Sequence, residues 1–335
     1  MDKKEILRIF SYGSNLRDAI EKIVKARGAL VVFVKTKGIL NACVGGFKLD
    51  EAFSGEKLAE LAKLDGAILV DSALEKILYS NVLLNPNTKI QSNETGTRHQ
   101  AAERTAKQFN TLVLAISEKS KAATIYYGES KMKLNSLNEL FTKTGETLKS
   151  LEKNERSFEK LIKKLDISEA LDLVRLEDIM LLFQRKKIID LIAETLSVYL
   201  AELGKEGEIV GLQFAEIINF VSTEIELVKK DYAEHFDFEA IEMELLMMRY
   251  DEILNKKNVL RVFTKKMKNE SMLVPKGHRI LRNIPILSDE DIAQLTSNFS
   301  NLRETMSASE QDFASRGISE RKSRAVKEYL LRVQV

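Results

Sequence analysis

A single cysteine, Cys43, excludes an intramolecular disulfide and is compatible with a reducing cytoplasm. Proline occurs only at Pro86, Pro275 and Pro285, so no proline ring breaks helix anywhere between the first two. No apolar run approaches the roughly 18–20 residues needed to span a bilayer. The start, Met1-Asp2-Lys3-Lys4-Glu5, leads into a short amphipathic segment rather than a secretory leader. Of the three histidines, His235 and His278 lack metal-ligand spacing, so no zinc site is predicted. These absences predict a soluble, cytoplasmic protein without a membrane partner.

What is present is enough for a sizeable core: 335 residues with 44% apolar content, a length that suggests two or three domains. The net charge of +2 hides an asymmetry. Residues 255–335 hold 16 Lys+Arg against 9 Asp+Glu, so this part carries +7 and the rest of the chain −5. A basic tail on an acidic body places any nucleic-acid contact at the C-terminal end, the plainer reading being a solvated basic face.

The pattern predicts a multidomain chain, α/β followed by all-α. Short apolar runs at 29–34, 67–70, 76–80, 111–116 and 123–127 read as strands, and 16–27, 55–64 and 98–108 as helices between them. Residues 1–132 are thus expected to form an α/β domain with a central mixed sheet. Residues 133–274 read as a helical spine. Leu137, Phe141, Thr144, Leu148, Leu151, Glu155, Phe158, Ile162 and Leu165 form a seam of period 3.5. Further helices are expected at 168–183, 185–203, 208–230 and 238–256, with Leu245-Leu246-Met247-Met248 as core. Val274-Pro275-Lys276-Gly277-His278 reads as a linker to a third unit, 275–335, of short helices and tight turns.

Two segments carry chemistry. In Glu94-Thr95-Gly96-Thr97-Arg98-His99-Gln100-Ala101-Ala102-Glu103-Arg104 a small-residue turn runs into good helix formers. The free N–H groups of that first turn, beside Arg98 and His99, suit anionic oxygens. Asp65, in Asp65-Gly66-Ala67, adds a carboxylate that could hold a divalent metal against phosphate. Together they read as a nucleotide site.

Gly45-Gly46-Phe47-x-Leu49-Asp50, Glu56-Lys57-Leu58, Asp65-Gly66-Ala67, Asn81-Val82 and Glu94-Thr95-Gly96-Thr97-Arg98-His99, in this order, resemble the diadenylate cyclase domain over roughly residues 10–130. The helical continuation and C-terminal end resemble its DNA integrity scanning branch. The resemblance implies an enzyme that condenses two ATP into cyclic di-AMP across a face-to-face dimer, with Mg2+ or Mn2+ as cofactor. It implies Asp65, Arg98 and His99 as catalytic residues, with Asp65 the metal ligand. Gly66, Leu84, Thr97, Arg98, His99, Gln100 and Ala101 are the implied ATP-binding positions, Leu84 through backbone atoms toward adenine. It also implies a homo-oligomer, an octamer in the family, and DNA, branched and read without regard to sequence, as a partner.

The chain departs from the family at Gln100 and Ala101, where Arg and Thr are usual. Losing a charge-assisted hydrogen bond of ~1.5–3 kcal/mol predicts about 10- to 100-fold weaker ATP affinity or rate unless Lys119 or Lys121 compensates. The alternative is a catalytically weakened nucleotide-binding scaffold on DNA. Residues 275–335 resemble a tandem helix-hairpin-helix domain, in which backbone N–H groups of a Gly-hydrophobic-Gly turn meet phosphate. Gly317-Ile318-Ser319 carries Ser at the second Gly, and the first turn, Ile286-Leu287-Ser288-Asp289-Glu290, has no Gly. The expected DNA contacts are Arg316, Gly317, Arg321, Lys322 and Arg324.

Overall fold

The computed structural model describes residues 1–269 and 272–333. These form two compact units, one of Met1–Thr144 with Ser197–Ile209 and one of Gly145–Leu196 with the chain from Val210 onward.

In the first unit the elements run α1 (Lys3–Ile9), α2 (Asn15–Ala26), β1 (Ala29–Val34), β2 (Cys43–Val44), β3 (Phe47–Ala52), α3 (Gly55–Leu61), β4 (Ala67–Asp71), β5 (Lys76–Leu84), α4 (Thr97–Phe109), β6 (Leu112–Ile116), β7 (Ala123–Tyr127) and β8 (Ser130–Lys133). They build one mixed eight-stranded sheet in the order β2-β5-β4-β1-β6-β7-β8, with β3 also on β5. β1 and β4 are parallel and the other pairs antiparallel. Side chains alternate across a strand, so β1 sends Val31 and Phe33 to a core with α1, α2 and α3. It sends Leu30 and Val32 to a second core, closed by Ala102 and Ala106 of α4. The long apolar strands of the sequence therefore have both faces covered. Strands β2, β3 and β8 escaped the pattern because β2 and β8 are short and all three are largely exposed, β3 reading Phe-Lys-Leu-Asp-Glu-Ala.

The helices that follow are α5 (Leu137–Ala170), α6 (Leu176–Leu203), α7 (Glu208–Asp231), α8 (Phe238–Met247), α9 (Tyr250–Leu254), α10 (Lys256–Lys265), α11 (His278–Arg282), α12 (Asp289–Asn298), α13 (Leu302–Ser307), α14 (Glu310–Ser315) and α15 (Glu320–Val333). Three expectations are corrected. The helices expected at 168–183 and 185–203 are in fact divided near Asp172, which takes φ 58°, and α6 runs unbroken over 28 residues. The buried row of α5 passes through Leu140, not Phe141, which is exposed. In the Leu-Leu-Met-Met cluster Leu245 is buried, but Leu246 and Met247 face outward, because a surface helix of about three turns has only one inward stripe.

The expected linker at 274–278 is pinned rather than free. Asp231 accepts hydrogen bonds from the backbone N–H groups of Gly277 (2.8 Å), His278 (2.6 Å) and Arg279 (3.1 Å), capping α11. Arg279, itself buried, pairs with Asp166 and Glu169, and Tyr232 donates to Glu169 at 2.8 Å. Burial pushes the Glu169 carboxyl up to about 8 against the pull of Arg279. Among the described residues no helix is long and apolar enough to cross a membrane.

Candidate nucleotide site on the α4 face

Three segments meet over the second core of the first unit. They are the start of β4, the end of β5, and the turn into α4. The cavity between them has a volume of about 570 Å³ and is lined by Gly66, Ala67, Val82, Leu83, Leu84, Gly96, Thr97, Arg98, His99 and Ala101, with Leu30, Ser117, Glu118 and Lys119. Of the sequence-derived nucleotide positions it brings together Gly66, Leu84, Thr97, Arg98, His99 and Ala101. Asp65 is exposed, one residue from the lining. Gln100 turns away: its Nε2 donates to the Glu94 carbonyl at 2.7 Å.

Local geometry explains the arrangement. Gly66 takes φ 89°, and a Cβ there would stand 2.8 Å from the Asn81 carbonyl carbon, so only glycine lets β4 begin this close to β5. Asn81, at φ 54°, marks the irregular pairing that aims Val82 and Leu84 at the cavity. Gly96 is the N-cap of α4 and supplies no side-chain cap. The first-turn N–H groups thus keep no intrahelical acceptor, as helix geometry requires, and belong to residues that line the cavity.

Arg98 and His99 are both held by neutral partners. Arg98 donates from Nη1 to the Ile116 carbonyl at 3.2 Å. It fits because residue 28 is glycine; a Cβ there would lie 2.0 Å from Arg98 Nη1 and 2.6 Å from the Ile116 oxygen. His99 Nδ1 lies 2.8 Å from the Tyr126 hydroxyl, which donates to Glu94 Oε1 at 2.9 Å, and Lys131 pairs with the same carboxylate oxygen. Burial lowers the pKa of His99; Glu94 opposes the shift, and Lys131 and Arg98 reinforce it, so the ring is neutral near pH 7. Burial opposes ionisation of Glu94, but Lys131 and Tyr126 outweigh it and keep this carboxyl below its ordinary range. Burial and Glu94 together raise Tyr126, which stays protonated.

Gly28, Tyr126 and Lys131 are the positions that motif reading missed. None of the three left a distinct signal, Tyr126 being one of three hydroxyl side chains on β7. Glu103 and Arg104, the next turn of α4, anchor the loop before it. Glu103 accepts from Ser92 Oγ and Asn93 N, and Arg104 donates to the Ile90 carbonyl at 3.0 Å. Lys119 lines the cavity, whereas Lys121 donates to the Ala26 carbonyl at 3.1 Å. Among the described residues no three His, Cys, Asp or Glu side chains cluster as a metal site. A single carboxylate such as Asp65 suits an ion like Mg2+, which is commonly held by one or two carboxylates and the substrate's own phosphates.

The expected DNA residues gather at the turn between α14 and α15, where Gly317 takes φ 79°. Their cations are largely engaged. Arg316 stacks 3.9 Å over the Phe299 ring and lies 3.5 Å from Glu304. Lys322 reaches both oxygens of Asp291 at 2.7 Å, and Arg324 pairs with Glu320 at 2.9 Å. Arg321 is exposed and, among the described residues, has no carboxylate within ion-pair distance. The Lys322 side chain, with Ser288, holds Asp291 down to about 2.

Comparison with known proteins gives this arrangement its class. Residues 17–131 match the family described as DisA bacterial checkpoint controller nucleotide-binding, and residues 134–272 its linker region. The first unit thus carries a diadenylate cyclase-type nucleotide-binding domain and is followed by that family's helical linker. The DNA integrity scanning protein DisA of Clostridium kluyveri is 33% identical over 336 residues, covering 99% of this chain and 95% of that protein. Its counterpart in Acetivibrio thermocellus is 34% identical over 98% of this chain and 94% of its own length. That of Clostridium tetani is 33% identical, over 99% and 94%. The chain belongs to the DisA family.

Proposed function

We propose that this chain is a diadenylate cyclase that joins two ATP into cyclic di-AMP. The observation that carries the reading is the cavity itself, where Gly66, Leu84, Thr97, Arg98 and His99, scattered in sequence, line one volume beside Asp65. Each ribose 3′-hydroxyl attacks the α-phosphate of the other nucleotide. Two P–O ester bonds form, two bonds to pyrophosphate break, and the two hydroxyl protons pass to solvent. Attack in line with the leaving group needs two ATP in opposed orientation, and one domain offers one such cavity. A face-to-face pair of copies supplies the second. Apolar surface at the rim suits that pairing: Leu83 and its cross-strand neighbour Val44 are exposed, as is Phe47.

The roles proposed are those the resemblance implies, and the cavity lining supports them. The α4 first turn and Arg98 take phosphate oxygens, and Gly66 lets the nucleotide approach backbone. Leu84 lines the side where adenine would lie. Asp65 would hold Mg2+ or Mn2+, which when bound would supply charge neutralisation at the α-phosphate. Gln100, as a loop anchor, adds nothing to phosphate binding, and Lys119 is the cation on the lining that takes that part. At the other end, the turn around Gly317 contacts DNA backbone through Arg321 and its N–H groups. Affinity there is modest and salt-dependent, since three of its four cations already hold carboxylates.

The test is turnover against protein concentration, with products resolved by mass. Cyclic di-AMP formed at a rate per protomer that rises with concentration until dimers saturate is the expected result. ATP bound at every concentration with no product under either metal would make the chain a nucleotide-binding scaffold instead.

A further inference from the structure

The hydrogen-bond relay behind His99 has a direction. A phenol has one proton, and the Glu94 carboxylate, held ionised by Lys131, is a stronger acceptor than a neutral imidazole nitrogen. Tyr126 therefore donates to Glu94 and accepts from His99, which places the imidazole proton on Nδ1. The ring lines the cavity, and among the described residues Nε2 has no partner. A neutral ring in this tautomer presents a lone pair at Nε2, the wrong polarity for a phosphate oxygen, although it stands on the first turn of α4 beside Arg98.

We propose that a nucleotide triphosphate enters this cavity with uptake of one proton at His99 Nε2, and that Glu94 and Tyr126 are positioning residues that hold the ring ready to receive it. This rests on the cavity being the ATP site. Protonation at Nε2 leaves every bond of the relay as it stands: Nδ1–H still donates to Tyr126, and Tyr126 to a carboxylate whose charge now favours the imidazolium. The charged groups around the ring are Glu94 from the loop before α4, Arg98 and, one turn on, Glu103 of α4, Lys131 of β8, and Glu118 and Lys119 at the far rim. In the empty cavity, burial with Lys131 and Arg98 keeps the ring neutral; a bound triphosphate reverses that balance. Affinity should thus be highest at low pH and fall as pH rises, by up to tenfold per unit between the free and bound pKa values.

The experiment is calorimetric titration of the full chain with Mg2+ and α,β-methylene ATP, which cannot be turned over, in HEPES and in Tris at pH 7.5. The wild type should show a buffer-dependent enthalpy equivalent to roughly half a proton or more per site. His99→Gln should show none. In Tyr126→Phe or Glu94→Gln the ring is free to carry its one proton on Nε2, and uptake should drop below half the wild-type value. Wild-type binding without buffer dependence, or full uptake in His99→Gln, overturns the proposal. If the analogue does not bind at all, the ATP-site reading fails separately. The relay is then read from nitrogen-15 shifts of His99, where Nδ1–H supports it and Nε2–H refutes it.

Discussion

The α4 cavity and the α14–α15 turn both collect basic side chains around a glycine, yet they treat charge in opposite ways. In the cavity Arg98 rests on a carbonyl and His99 on a phenol, and among the described residues no carboxylate pairs with Arg98. At the turn Arg316, Lys322 and Arg324 each face a carboxylate. A cation bonded to a neutral acceptor is held in place with its charge still available to an incoming anion. One bonded to a carboxylate must first give up that partner, and the exchange gains little in water. Clustered positive charge in a sequence is therefore a weak guide to binding until its partners are known.

The largest effect that would break this comparison is expected at Arg98. Arg98→Ala removes a charge-assisted contact of ~1.5–3 kcal/mol, so ATP affinity by calorimetry should fall about 10- to 100-fold, with thermal stability little changed. An equal loss of stability would show that Arg98 is structural. Gly28→Ala displaces the same guanidinium at unchanged net charge but also crowds the Ile116 carbonyl, so about a tenfold loss of ATP affinity is expected together with a lower melting temperature. On the other side of the comparison, Arg321→Ala should lower the slope of log affinity for DNA against log salt by about 0.9, the signature of one phosphate contact. Lys322→Ala should leave that slope nearly unchanged and act on Asp291 instead. The depressed pKa of Asp291 means that its stabilising contribution is present above the ordinary carboxylate range and is lost as pH falls toward about 2. Without Lys322 the loss should begin at higher pH, visible as an earlier acid transition.

Much of this was legible because burial leaves a period in the sequence. The five long strands and three helices around the sheet follow from apolar runs and capping signals, and the cavity lining from the Asp65 and Glu94–Ala101 motifs read beside a family pattern. Edge strands such as β3 were not legible, since exposed residues are free to be polar. The break at Asp172 was hidden because a non-glycine residue in the left-handed region gives no compositional sign. The sequence carries no mark that Asp231 and Arg279 are buried. That they lie buried against each other's segments depends on pairing between α7 and α11, which one-dimensional pattern cannot show. Gly28 and Tyr126 escaped for the same reason, their importance arising from what folding places against them.

The most direct test of the account is product formation by the purified chain, incubated with ATP and Mg2+ or Mn2+ beside Asp65→Asn, with products resolved by chromatography and mass. The account predicts one cyclic di-AMP for every two pyrophosphates from the wild type, and at least about a 100-fold loss in the variant, since the role proposed for Asp65 is to hold the metal that neutralises developing charge. ATP binding with no cyclic product under both metals, or equal product from Asp65→Asn, would contradict it.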